Sequence, residues 1–185
     1  SMDFTVWRFR SDYGAPSVSD DNGVNPGVFE EPTLTDYDIY GLSVSYDFDG
    51  FTLTSSTSDI DYSNHGLLDI NGAVDFITNV DAEVFTQEVG LFSTGDSEWQ
   101  WSVGGFYRDA VDRLVQGVPP LGDSTADTDF EQSSESLAFF GAVTKSFLAG
   151  KFDLTAGLRY FEVAADYNET VSKTGSTTQL ISRSS

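Results

Sequence analysis

The 185-residue chain has no cysteine, one histidine and one methionine. Without cysteine there is no disulfide framework, no thiolate nucleophile and no Cys-ligated zinc. With His65 as the only histidine, a Ser-His-Asp triad or a multi-histidine metal site has no material. Cations are also scarce, with 9 Lys and Arg against 30 Asp and Glu and a formal net charge of -21. That balance excludes a nucleic-acid partner, because phosphate binding needs clustered positive charge. Nowhere does an apolar run reach about 18 residues, so the chain has no transmembrane helix. A spanning strand stays open, since it announces itself by alternation and not by bulk hydrophobicity. No phosphate-binding loop or dinucleotide fingerprint is visible. The many carboxylates make any glycosidase-like pair uninformative, so no enzymatic activity and no cofactor are expected.

What is present is alternation and aromatic side chains, the latter 14% of the chain. Residues 85–109, FTQEVGLFSTGDSEWQWSVGGFYRD, read as two strands joined at Ser93–Ser97. Val89, Leu91, Trp99, Trp101, Val103 and Tyr107 fall on one face, and Glu88, Gln100, Ser102 and Arg108 on the other. Residues 39–48 alternate in the same way, with Tyr40, Leu42, Val44, Tyr46 and Phe48 together. Asp49-Gly50 then gives a strong two-residue hairpin signal, and Phe51 and Leu53 return on the far side. Residues 135–147 and 151–165 repeat the pattern around Leu148-Ala149-Gly150, with Phe152, Leu154, Leu158 and Tyr160 on one face. Each strand is expected to be roughly ten residues, close to what a tilted membrane strand needs.

Short reversals alternate with long polar stretches at 12–36, 60–82, 110–134 and from Asp166 onward. The expected fold is therefore all-β: an antiparallel up-and-down meander of about seven to eight long strands, barrel or barrel-like. Short turns at one end and long loops at the other are the layout of outer-membrane barrels. The aromatics near strand ends, Trp101 among them, suit interface girdles, with Phe48, Phe51, Trp99 and Phe152 toward the short turns and Tyr40, Tyr107 and Tyr160 toward the long loops. Within the polar stretches, Asp123, Asp127, Asp129 and Glu131 are the candidate metal ligands, able to offer oxygens to Ca²⁺ but without the spacing of an EF-hand. Glu88, Arg108 and Arg159 are expected on the inner face, paired with neighbours.

Several of these stretches resemble hairpins of TonB-dependent receptors: FTQEVGLFS with WQWSVGGFYRDA, LAFFGAVTKSF with GKFDLTAGLRYFE, and DYDIYGLSVSYDFDGFTLTSSTS. The resemblance covers about Asp36 to Glu162. It implies a barrel of about 22 strands enclosing a plug, in the bacterial outer membrane, taking up an iron chelate, cobalamin or a glycan. The chain shows neither a plug nor a TonB-contacting box, so residues 1–185 are expected to be one segment of such a barrel. Its expected partners are outer-membrane lipid, the rest of the barrel and the plug, with self-association through open strand edges. The rival expectation is a small soluble or surface β-barrel or sandwich whose acidic loops bind a ligand or Ca²⁺.

Overall fold

The computed structural model describes residues 1–14, 22, 31–70, 74–121, 124–148, 150–173 and 176–184. They form one antiparallel sheet whose strand order follows the chain: β1 (Met2–Tyr13), β2 (Thr33–Asp47), β3 (Phe51–Ile70), β4 (Val74–Ser93), β5 (Trp99–Leu121), β6 (Ser124–Phe147), β7 (Phe152–Lys173) and β8 (Ser176–Ser184). Each strand touches only its neighbours in sequence, and β1 does not meet β8. The result is an open single-layer wall. No described element packs across either face, and among the described residues only Ala110 and Ala138 form a buried apolar core.

Glycine takes the left-handed backbone position in each of the three short turns, with φ of 93° at Gly50, 91° at Gly95 and 80° at Gly150. Asp49-Gly50 closes the β2–β3 hairpin through a Phe48 N–H to Phe51 C=O bond of 2.8 Å. Gly50 carries a φ of 93°, where a side chain would be strained. Asp49 does not have a positive φ, so the turn is not the doubly left-handed type I′ that the sequence pair suggests.

The long polar stretches fold differently from expectation. The described residues of 60–82, 110–134 and 166–178 are not extended loops but continuations of paired strands. β3 and β4 pair from Phe51↔Ser93 to Ile70↔Val74, leaving only 71–73 between them. β5 and β6 pair out to Leu121↔Ser124, with one irregularity where Pro119-Pro120 cannot donate to the ladder. β7 pairs with β8 from Lys173↔Ser176. Strands of 20 to 24 residues replace the expected ten in β3 through β7. His65, expected in a loop, stands on β3 with Nε2 3.3 Å from Asp81 Oδ1 on β4. Most of 14–32, which joins β1 to β2, lies outside the described residues.

The pairing also fixes a tilt. One lateral row runs Val44–Ser55–Val89–Gly105–Phe139–Tyr160. Counted from the turn-end residues Asp47, Phe51, Ser93, Trp99, Phe147 and Phe152, its members stand 3, 4, 4, 6, 8 and 8 residues up their strands. The row thus climbs about one residue per strand. With a rise of ~3.4 Å and a strand spacing of ~4.8 Å, that stagger tilts the strands by about 35° from the normal of the turn rim. Closed barrels require tilts of that size.

Candidate functional site

The register puts all eight candidate interface aromatics on one face. Tyr40, Phe48, Phe51, Trp99, Trp101, Tyr107, Phe152 and Tyr160 share it with Phe4, Val6, Leu42, Val44, Tyr46, Leu53, Val89, Leu91, Val103, Leu137, Phe139, Val143, Leu154 and Leu158. They make one continuous apolar band across β1 to β7, and most of its large side chains are exposed. Phe48 stacks on Phe51 at 4.7 Å between ring centroids, and Phe147 lies 6.0 Å from Phe152, so the turn rim is aromatic. The opposite border holds Tyr40, Phe85, Tyr107 and Tyr160, 7 or 8 residues up their strands. Eight residues at the derived tilt is about 22 Å along the barrel axis. That is close to the ~25 Å apolar belt of membrane barrels.

In the middle of the band, polar side chains interrupt it on β3 and β4. Gln87 donates from Nε2 to Ser55 Oγ at 3.0 Å and to the Glu88 carbonyl at 3.1 Å, while Thr57 Oγ1 donates to Gln87 Oε1 at 2.5 Å. The cluster satisfies its own hydrogen bonds. The sequence reading missed it, because the composition of β3 alone does not reveal the cross-strand partner.

Beyond the Tyr and Phe border the outward face becomes charged. Arg8 and Arg10 both bind Asp38, through Arg8 Nε to Oδ1 at 2.9 Å and Arg10 Nη2 to Oδ2 at 2.7 Å. Arg8 Nη2 also donates to Tyr40 Oη at 2.9 Å. The hydrogen bond from Arg10, followed by that from Arg8, holds the Asp38 carboxyl below its ordinary value. Of the candidate metal ligands, Asp123 lies outside the described residues. Asp127, Asp129 and Glu131 take alternate positions on the outward face of β6, and Arg113 Nη2 holds Asp129 Oδ2 at 2.9 Å. Among the described residues, no three His, Asp or Glu side chains gather into a metal-binding group.

The inner face is small and polar beside the band, with Gly90, Gly104, Gly157, Ser102, Thr144 and Thr155. Phe140 lies flat over Gly104 and Phe92 over Gly90. Glu88, Arg108 and Arg159 stand on this face as expected, and Arg108 Nη1 donates to Ser134 Oγ at 3.1 Å. Past the band the inner face turns aromatic. Trp7, Tyr37 and Tyr62 contact edge to face at 5.5 and 5.9 Å, and Phe130 meets Tyr167 at 4.8 Å. The apolar side of the sheet therefore changes hands at the border, outward within the band and inward beyond it.

These features define an open, barrel-like antiparallel wall: long tilted strands, one face with an apolar belt edged by aromatics, and an opposite face that is polar beside it. The fold matches the crystal structure of the ferric yersiniabactin uptake receptor FyuA from Yersinia pestis, with a TM-score of 0.76 at 16% identity over 99% of this chain. The chain spans 30% of FyuA's length. The siderophore receptors BauA, a ferric preacinetobactin receptor, and PiuA, both from Acinetobacter baumannii, match at TM-scores of 0.49 and 0.38, with 14% and 12% identity, over 83% and 76% of this chain and 27% and 30% of theirs. No protein-family model and no curated protein matches the sequence. The receptor resemblance read from the hairpins is thus met at the level of the fold.

Proposed function

We propose that residues 1–185 form a wall segment of a TonB-dependent receptor barrel in the bacterial outer membrane, and that the parent protein imports a scarce nutrient. The observation that carries this reading is the outward apolar band on an open sheet staggered by about one residue per strand. A soluble barrel or sandwich would enclose those aromatics, whereas here no described element packs on them. The likeness to FyuA favours a ferric chelate as cargo over cobalamin or a glycan. In the assembled barrel the aromatic inner wall around Trp7, Tyr37 and Tyr62 is the part of this segment that faces the cargo's path. The plug and the remaining strands are its partners, and the free edges of β1 and β8 are where the wall continues. In isolation those edges pair with other copies.

Size-exclusion chromatography with light scattering tests the reading. The expected result is a defined particle only in detergent, with aggregation in plain buffer. A clean monomer in plain buffer, with Trp99 and Trp101 shielded from an aqueous quencher, would overturn it.

A further inference from the structure

Between β6 and β7 the outward band carries a shallow depression of about 340 Å³ lined by Gly141, Ala142, Val143, Ala156, Gly157 and Leu158. Gly141, Val143, Ala156 and Leu158 face outward by register, while Ala142 and Gly157 pair with each other between them on the opposite parity. Leu158, on its margin, is 83% exposed. Directly below, toward the short turns, Lys145 pairs with Leu154 in the sheet and also faces outward. Among the described residues, Lys145 is the one cation on an outward strand position at that end of the band. Its ammonium lies 4.9 Å from the Trp99 ring centroid and 5.9 Å from that of Phe147, and it is ion-paired with Glu98. The Lys145 side chain is only 20% exposed, whereas Glu98 is 75% exposed. The cation is therefore fixed at the band's edge, and its counter-ion stands in solvent.

We infer that this groove and Lys145 together form a binding site for one anionic phospholipid of the inner leaflet, with its phosphate at Lys145 and an acyl chain laid along Val143, Ala156, Gly141 and Leu158. The inference rests on the membrane reading above. Lipid geometry supports it. Lys145 to Gly141 is four strand residues, about 11 Å along the axis at the derived tilt. That is roughly half of the ~25 Å belt, the depth of one leaflet. The short turns of membrane barrels face the periplasm, which selects a phospholipid of that leaflet as the occupant. Charge adds the headgroup preference: Glu98, the present partner of the ammonium, is held only at the exposed end, so a lipid phosphate takes its place at Lys145, and an anionic headgroup does so without the competing cation of a zwitterionic one. Trp99 beside it offers the amphipathic ring that favours this depth.

The test uses the chain in phosphatidylcholine vesicles, with lipids whose acyl chains carry bromine as quenchers. Trp99 and Trp101 face the lipid, while Trp7 faces inward. Fully brominated phosphatidylcholine is expected to quench strongly. At 10 mol% probe, brominated phosphatidylglycerol is expected to quench at least about twofold more than brominated phosphatidylcholine. That preference is expected to vanish in Ala156→Leu, which fills the groove, and in Lys145→Gln, and to persist in Lys145→Arg. Lys145→Gln leaves the groove intact and keeps the comparison readable should Ala156→Leu fail to insert. Equal quenching by the two dilute probes, or a preference that survives Lys145→Gln, overturns the site while leaving the membrane reading standing. No quenching even in fully brominated phosphatidylcholine overturns both.

Discussion

Val103→Arg separates a lipid-facing wall from a wet one. Val103 faces outward on β5, four residues above Trp99 and four below Tyr107. At the derived tilt it lies about 11 Å from either aromatic border, at the middle of the band. Its cross-strand neighbours on that face are Leu91 and Gly141, so a longer side chain has room and no clash complicates the result. At the centre of a bilayer an outward arginine on a barrel costs about 2–4 kcal/mol. Val103 is 46% exposed, and a surface position of that kind in water normally changes stability by no more than about 0.5 kcal/mol. The two environments therefore differ by roughly tenfold or more in the unfolding equilibrium. Denaturant titration in lipid vesicles, followed by tryptophan fluorescence, measures the cost. Ser56→Arg, on the exposed inner face of β3, is the control and is expected to cost no more than about 0.5 kcal/mol. If Val103→Arg is as mild as Ser56→Arg, the outward face does not meet hydrocarbon and the assignment of the band fails.

Gly104→Ala is expected to destabilise by about 1–3 kcal/mol through overpacking. Its Cβ would stand 2.5 Å from Phe140 Cζ and 2.9 Å from the Val89 carbonyl oxygen, and the carbonyl belongs to the ladder and cannot turn aside. Gly41→Ala, whose Cβ would meet Thr5 at an ordinary 3.6 Å, is expected to be neutral or slightly stabilising in the same titration. Asp38 is expected to titrate below a free aspartate in a carboxyl-detected NMR experiment, and to move up toward the ordinary range when Arg10→Gln removes its main hydrogen bond, the Arg8 bond remaining. Because the folded carboxyl is depressed, its contribution to stability is complete above about pH 4, the unfolded value, and is lost as pH falls through the folded one.

The faces of the band were legible in the sequence because each side chain's direction in a strand is set by parity. Once Trp99 is outward, so are Trp101, Val103 and Tyr107, and the turn at Asp49-Gly50 carries the phase from β2 to β3. The outer halves of the strands were not legible for a related reason. Past the border the apolar residues keep the period of two but occupy the other parity: Asp59 and Asp61 face out while Ile60 and Tyr62 face in. Likewise Asp81 and Glu83 face out while Val80, Ala82 and Val84 face in. Read along the chain, that exchange looks like the end of a strand, although the backbone continues without a break. The lipid groove was hidden too, since Gly141 and Ala156 become neighbours only when β6 and β7 are laid side by side.

A wall in which each strand meets only the one before and the one after is built like a fence, panel by panel. A hairpin inserted between two others would preserve direction, parity and both surfaces, and would alter no existing partnership except at the seam. Lengthening or trimming such a structure by pairs of strands changes the width of what it encloses while leaving every retained panel as it was. Coupling between distant panels must pass through each one in between, so substitutions on β1 and β7 should combine additively.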